Sequence, residues 1–289
     1  RLIVEGVVMI ITTKQNLLLL LNRENIPWFD AQPKNDNDSF SDIQIIRSCL
    51  DKIGPLPAGS VVLGLGKDNY PLLLNLYDPK PGAVLIIGDP GCGKTRLLIS
   101  LLQSANLLNF GKISLDLIAS KTYSPDVFEL PSHRFESYYP HQSDIKDRIL
   151  SLALIARQRL NGRLMGPSVL LAIDDLFLLQ SYLDKTTLKE LEWLIQNGAS
   201  VRIWTFATAS TIAFENIRNY TAQISEFKTI IFGSISNPAL VNSLTGNHFI
   251  KINDVLPEGE FYVPYRKSWL RFSGLTSLSK AYTRYPLEV

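Results

Sequence analysis

Cysteine is scarce in this 289-residue sequence, in which only Cys49 and Cys92 occur. Two cysteines so far apart predict neither a disulfide framework nor a cysteine-based metal site, and they favour a reducing, cytoplasmic location. Histidine is also scarce. Because His133, His141 and His248 lack the spacing typical of metal ligands, we interpret them as structural residues.

Charge of one sign is not in excess either, because 29 Lys and Arg residues oppose 27 Asp and Glu residues, for a net charge of +2. This balance does not mark a nucleic-acid-binding protein, although a basic stripe can exist within it. Glu5, Lys14 and Gln15 interrupt the apolar N-terminal segment, so no clean run reaches the roughly 18 residues of a membrane span. We predict a β-hairpin there instead, and membrane association only through a segment preceding Arg1.

The chain is predicted to form two units, a small β-containing appendage at residues 1–55 and an α/β domain at residues 56–289. With 46% hydrophobic residues, the larger unit can bury a substantial core. Strands alternate with helices, which predicts a central, mostly parallel sheet. Residues 121–142 are interpreted as an irregular connection. Strands are predicted at 61–64, 71–75, 83–87, 112–118, 168–173, 201–206, 228–232, 261–263 and 269–272, and helices at 43–53, 96–105, 143–159, 187–196 and 238–244.

A glycine-rich segment, GDPGCGKT, lies between the predicted strand at 83–87 and the following helix. It matches the spacing G-x-x-x-x-G-K-[ST] of a phosphate-binding loop, whose backbone N–H groups wrap a triphosphate. Lys94 is predicted to reach the β- and γ-phosphates and to act in catalysis, and the Thr95 hydroxyl to bind Mg²⁺. A glycine-rich turn that matches by chance is the alternative. The residues predicted to bind ATP are Gly88, Asp89, Pro90, Gly91, Cys92, Gly93, Lys94, Thr95 and Arg96.

A second motif, SVLLAIDDL, is an apolar strand that ends in two acidic residues. Downstream of a phosphate-binding loop, such a strand is expected to end beside that loop. We predict that Asp174 organises the Mg²⁺ ion and that Asp175 polarises the attacking water. The alternative is structural, because buried strands that end in aspartate are common.

Together with the blocks around them, these motifs resemble the motor domain of the FtsK/HerA superfamily, which includes DNA translocases and type VII secretion ATPases. The resemblance covers about residues 56–272 and implies a RecA-like P-loop NTPase that binds ATP and Mg²⁺. It further implies a hexameric ring, or a part of a larger ATPase chain, that threads a polymer and receives an arginine from the neighbouring subunit. Besides the two motifs, the blocks that carry the resemblance are LGLGKDNYPLLLNL, VRIWTFATAS, FKTIIFGSISNPALVNSLTG and PEGEFYVPY.

Three positions depart from the pattern of that superfamily. Asp175 stands where glutamate is usual, Ala209 stands where an amide senses the γ-phosphate, and residues 237–244 contain no arginine. We therefore predict an ATPase with weakened catalytic motifs. The leading hypothesis is ATP hydrolysis coupled to translocation of double-stranded DNA. The alternative is a module of protein secretion, or a degenerate module in which ATP is a structural ligand.

The sequence does not single out the arginine that completes such a site. Surface arginines are structural by default, and the basic segment at 157–163 either binds a polyanion or complements the end of a helix. The arginines considered as fingers or polymer contacts are Arg134, Arg157, Arg159, Arg163, Arg202, Arg218, Arg266 and Arg271.

Overall fold

The computed structural model describes residues 18–19, 42–67, 70–109, 112–119, 134–138, 142–212, 224–237, 239–240, 256–265 and 268–277. Within these residues, eleven strands form one sheet, and five α-helices pack on it. The strands are β1 (Leu18–Leu19), β2 (Ser60–Gly66), β3 (Pro71–Asn75), β4 (Val84–Gly88), β5 (Ile113–Ala119), β6 (Arg134–Tyr138), β7 (Ser168–Ile173), β8 (Ile203–Ser210), β9 (Thr229–Phe232), β10 (Glu260–Tyr265) and β11 (Ser268–Ser273). The helices are α1 (Asp42–Ile53), α2 (Lys94–Leu108), α3 (Gln142–Leu160), α4 (Leu176–Tyr182) and α5 (Lys185–Asn197).

The sheet has a parallel half and an antiparallel half, in the order β1-β3-β2-β11-β10-β9-β4-β8-β7-β5-β6. The strands from β9 to β6 in that order run parallel, and they hold β4 at the centre between β9 and β8. The strands from β1 to β10 pair antiparallel and extend the sheet from one side. The predicted α/β class with a central parallel sheet is confirmed.

Strands β4 and β7 of the parallel half read as continuous apolar runs because helices cover both of their faces. α2 packs on one face, where Leu98, Leu102 and Phe206 belong to the same buried cluster. α3, α4 and α5 cover the other face, where Leu152 and Leu171 are buried together. This arrangement places the carboxyl ends of β4, β7 and β8 at one edge of the sheet, beneath the start of α2.

An ion pair fixes α3 to the parallel half of the sheet. Asp116 of β5 is fully buried, and Arg148 of α3 donates two hydrogen bonds of 2.9 Å to its carboxylate. A buried carboxylate has a large desolvation cost, which the two-pronged guanidinium offsets.

The helix that precedes the α/β domain packs on the antiparallel half. Ile46 and Ile53 of α1 share a buried cluster with Val62, Leu73 and Leu275. The predicted division of the chain near residue 55 therefore separates elements that are in direct contact, and it stays a prediction. Of the predicted N-terminal hairpin, only β1 lies within the described residues, and it pairs with β3.

Several predicted elements are confirmed almost to the residue, including the helix at 43–53 and the strands at 71–75 and 168–173. The interpretation of residues 121–142 as irregular is wrong at β6, which pairs with β5 in parallel. The segment RFESY contains strand-forming aromatic residues, but the Pro, His and Tyr residues around it favoured the prediction of an irregular connection. Most of the predicted helix at 238–244 lies outside the described residues.

None of the helices in the described ranges combines the length and the apolar character that crossing a membrane requires.

Candidate functional site

The segment between β4 and α2 forms a tight loop whose shape depends on glycine. Gly91 and Gly93 have φ angles of 80° and 96°, a region that favours glycine. A Cβ on Gly93 would lie 3.2 Å from the backbone of Gly259, whose N–H donates to the Cys92 carbonyl at 3.0 Å. The block before β10 therefore packs directly against the phosphate-binding motif.

The ammonium group of Lys94 lies over this loop. Its Nζ donates to the carbonyl oxygens of Gly88 and Asp89, at 2.9 and 2.8 Å. These contacts hold the charge at the centre of the loop, and the predicted contact of Lys94 with phosphates stays a prediction. Pro90 is exposed on the same loop.

A hydrogen bond joins the acidic-strand motif to the phosphate-loop motif. Thr95, in the first turn of α2, donates from Oγ1 to Oδ1 of Asp174 at 2.7 Å, across 79 positions of sequence. Because β8 alone separates β4 from β7, the carboxyl end of β7 reaches the start of α2. The structure therefore brings together the two side chains that the sequence assigned to Mg²⁺.

Thr208 of β8 completes this junction, although no motif in the sequence identifies it. Its hydroxyl donates to Asp174 Oδ1 at 2.9 Å and accepts from the Asp175 backbone N–H at 2.8 Å. The only signal in the sequence was its position before Ala209, in the strand that follows the acidic motif.

Asp175 has a left-handed backbone conformation, and its side chain also caps a helix. Its φ of 68° lies in the left-handed region, which Asp tolerates better than most residues. Its carboxylate accepts from the Leu178 N–H at 3.2 Å and so caps α4. Burial raises the pKa of Asp175 above the usual aspartate range, and the charge of Asp174 adds to this rise. A raised pKa suits a group that must accept a proton near neutral pH.

Asp89 connects the loop to the ends of two strands. Its carboxylate accepts hydrogen bonds from the Thr211 hydroxyl, after β8, and from both the hydroxyl and the N–H of Ser236, after β9. Burial opposes ionisation, but the hydrogen bonds from Ser236 and Thr211 outweigh it, so the pKa of Asp89 is lowered. The motif predicted a nucleotide contact at Asp89 but none of these partners.

Cys92 is a packing residue of the loop. A Cβ built on Gly88 or on Gly233 would lie 2.5 or 2.7 Å from its Sγ, so both glycines are required by the thiol. Burial raises the pKa of the Cys92 thiol, which keeps it protonated and unreactive. Arg96, in the first turn of α2, lines a small cleft with Glu258.

Four of the candidate arginines make local contacts. Arg157 forms an ion pair with Glu190 and lies 4.7 Å from the centre of the Trp193 ring. Arg159 donates to the carbonyls of Val201 and Pro167. Arg202 lies over the Tyr77 ring, and Arg271 forms an ion pair with Glu260. These contacts favour structural roles, whereas Arg218 and Arg266 lie outside the described residues.

The residues present fit a magnesium–nucleotide complex. A Cβ built on Gly91 would meet no atom within 4 Å, so this part of the loop backbone is open to a ligand. Thr95 and Asp174 supply hard oxygen ligands, which Mg²⁺ prefers. Within the described ranges no cluster of three or more His, Cys, Asp or Glu side chains forms a metal cage. Mg²⁺ usually needs none, because it keeps several waters and binds substrate phosphates.

No protein-family model and no curated protein matches this sequence. Among solved structures, the fold is similar to the cytoplasmic domain of the type VII secretion ATPase EccC of Thermomonospora curvata, with a TM-score of 0.54 and 18% identity over 76% of this chain. It is also similar to ATPases 2 and 3 of EssC from Geobacillus thermodenitrificans, with a TM-score of 0.56 and 15% identity over 81% of this chain. A third similar structure is that of the pCW3 conjugation coupling protein TcpA, solved with ATPγS, with a TM-score of 0.56 and 15% identity over 78% of this chain.

These similarities define the class: the chain has the RecA-like P-loop ATPase fold of these proteins. The fold that the resemblance to the FtsK/HerA superfamily implied is confirmed. The chain spans 27% of the EccC chain, 51% of the EssC chain and 68% of the TcpA chain.

Proposed function

We propose that this chain binds ATP with Mg²⁺ at the loop between β4 and α2 and hydrolyses it. The hydrogen bond from Thr95 to Asp174 carries this proposal, because it brings the two predicted metal ligands to the phosphate loop. The solved complex of TcpA with ATPγS supports it, since that protein shares the fold.

The proposed roles follow from the positions of the side chains. The loop backbone and the α2 N-terminus bind the phosphates, and Lys94 moves its hydrogen bonds from the loop carbonyls to phosphate oxygens. Thr95 and Asp174 would hold Mg²⁺, which when bound would supply positive charge against the phosphates. Asp175 accepts a proton from the attacking water, and its raised pKa favours this task.

The proposed purpose of hydrolysis is movement of a polymer, with double-stranded DNA as the first candidate. We place the chain in a hexameric ring or in a larger ATPase chain, as the resemblance to FtsK/HerA motors implies. The similar proteins serve secretion and conjugation, which supports a motor without selecting its polymer. Contacts to DNA phosphates would make binding sensitive to salt.

Steady-state ATP hydrolysis, measured with and without long duplex DNA at low and moderate salt, tests the motor. Strong stimulation by DNA at low salt, weaker at moderate salt, is the expected result. Hydrolysis that DNA does not change would overturn double-stranded DNA as the polymer but leave the ATPase standing.

A second candidate is a protein-secretion module in which ATP is a structural ligand. Two observations favour it: the Asp175 carboxylate is occupied as a helix cap, and apolar Ala209 replaces the sensing amide. In that case ATP with Mg²⁺ would raise the melting temperature through binding alone. ATP binding with no turnover in any condition would favour this candidate over the motor.

A further inference from the structure

Thr208 lies where the two acidic residues that follow β7 meet the neighbouring strand β8. Its hydroxyl donates to Asp174 Oδ1 and accepts from the Asp175 N–H, at 2.9 and 2.8 Å. The residue is 2% exposed, so water does not compete for either hydrogen bond. One hydroxyl therefore fixes the side chain of one acid and the backbone of the next.

We propose that Thr208 is a positioning residue that sets the affinity of the site for Mg²⁺ by orienting Asp174. This inference rests on the proposed function. Thr208 acts through Asp174, and no contact between Thr208 and the ion is required.

The geometry at Asp174 supports this role. Thr95 and Thr208 donate to the same oxygen, Oδ1, from α2 and β8 respectively. If Thr95 turns to the ion, the bond from Thr208 still defines the rotamer of the carboxylate. Outer partners of metal ligands act in this way, and their loss costs roughly 10- to 100-fold in metal affinity.

The backbone at Asp175 gives Thr208 a second effect. The left-handed φ of 68° is unfavourable for a residue with a side chain, so surrounding bonds must hold it. The hydrogen bond from its N–H to Thr208 is one of them, and the cap on Leu178 is another. Loss of the hydroxyl would loosen the turn that presents both acids.

The test is the magnesium dependence of nucleotide binding, measured by titration calorimetry with ATPγS in Mg²⁺ and in EDTA. For Thr208→Val, which keeps the branched shape but removes the hydroxyl, we expect the half-saturating Mg²⁺ concentration to rise roughly 10- to 100-fold. Affinity in EDTA should not change, because the phosphate loop is untouched. Thr208→Ser, which keeps the hydroxyl, should resemble the wild type.

Thr205→Val is the matched control on the same strand. Thr205 is also buried, but its hydroxyl has no hydrogen-bond partner in the described part of the chain, so its removal should leave the Mg²⁺ response unchanged. If Thr208→Val does not fold, Thr208→Ala compared with Thr208→Ser gives the same contrast.

Two results would overturn the inference while the proposed function stands. One is a wild-type Mg²⁺ response in Thr208→Val, and the other is an equal loss of affinity in Mg²⁺ and EDTA. A wild-type protein whose ATPγS binding ignores Mg²⁺ would instead overturn the proposed function itself.

Discussion

Asp89 in the phosphate loop is bound by Ser236, 147 positions later in the chain, through both its backbone N–H and its hydroxyl. The backbone N–H of Asp89 donates in turn to the Ser234 carbonyl at 2.7 Å. The loop is therefore tied to the segment after β9, and through Thr211 to the end of β8. The phosphate loop is therefore hydrogen-bonded directly to the segments that follow these two strands.

Replacement of Asp89 should give a pH-dependent loss of stability. The folded-state pKa of Asp89 is lowered, so its ionised form stabilises the fold fully above the ordinary aspartate pKa of about 4. That contribution is lost as the pH falls through the lower folded value. We expect Asp89→Asn to melt below the wild type at pH 7, with the difference shrinking below about pH 4.

Melting curves followed by circular dichroism between pH 7 and 3 would measure this difference. Asp51→Asn, at an exposed position of α1, is the matched control and should follow the wild type. A difference at Asp89 that stays constant across this pH range would contradict the prediction.

Lys94→Ala should abolish ATP binding. The ammonium group lies at the centre of the loop. The loss of the two charge-assisted hydrogen bonds that it would donate to the phosphates costs roughly 3 kcal/mol or more in binding free energy. This corresponds to an affinity at least about 100-fold weaker. Calorimetry with ATPγS would measure it, with Lys189→Ala on the exposed side of α5 as the control. Unchanged affinity in Lys94→Ala would refute the assignment of the site.

Asp175→Asn should separate binding from hydrolysis. Asn tolerates the left-handed backbone and keeps an oxygen for the Leu178 N–H, so the fold and ATP affinity should survive. Turnover should fall roughly 100-fold or more with the loss of the base. Because the pKa of Asp175 is raised, the acid limb of the wild-type rate profile should lie above about pH 4 and vanish in the variant.

Asp184→Asn is the matched control for this experiment. Asp184 caps α5 as Asp175 caps α4, through the Thr187 N–H at 2.9 Å, but it lies outside the site. Turnover should therefore be normal in Asp184→Asn. Equal turnover in wild type and Asp175→Asn would remove Asp175 from the mechanism.

The buried pair of Asp116 and Arg148 should show strong coupling. Arg148→Met leaves a fully buried carboxylate without its guanidinium, which costs about 3 kcal/mol in the free energy of unfolding. The double variant Asp116→Leu with Arg148→Met should recover much of this loss, because no charge is left buried. Urea denaturation of the four proteins in the cycle would measure the coupling energy.

An exposed pair provides the comparison for this cycle. Lys146 and Asp184 lie 2.6 Å apart at the surface, where water screens their attraction. Lys146→Met should change stability far less than Arg148→Met. Additive effects at Asp116 and Arg148 would contradict the predicted coupling.

The sequence alone indicates candidate site residues where those residues lie close together in the chain. Lys94 and Thr95 follow from one motif and Asp174 from another, and their meeting follows from the order of parallel strands. Thr208 and Ser236 were not predictable in this way. Their roles depend on which side chain of a distant strand end comes within hydrogen-bond distance, and no local pattern encodes that.

Strands and helices also differed in how well the sequence predicted them. β4 and β7 are apolar runs that helices bury on both faces, so their composition identifies them. β6 lies at the sheet edge among turn-forming residues, and α4 is a short helix that starts at the strained Asp175. Neither β6 nor α4 is long enough to show a clear hydrophobic periodicity, so the sequence pattern predicted neither of them.

The position of β11 joins two distant parts of the chain within one sheet. β2 ends at Gly66, yet its second partner, β11, begins only at Ser268 and joins it through Phe272 and Ser273. A ribosome therefore releases β2 and β3 long before the hairpin of β10 and β11 can attach them to the parallel strands. Until then β2 has an open edge, so we expect the hairpin of β10 and β11 to dock late in folding and the nascent chain to be open to misassociation before that step.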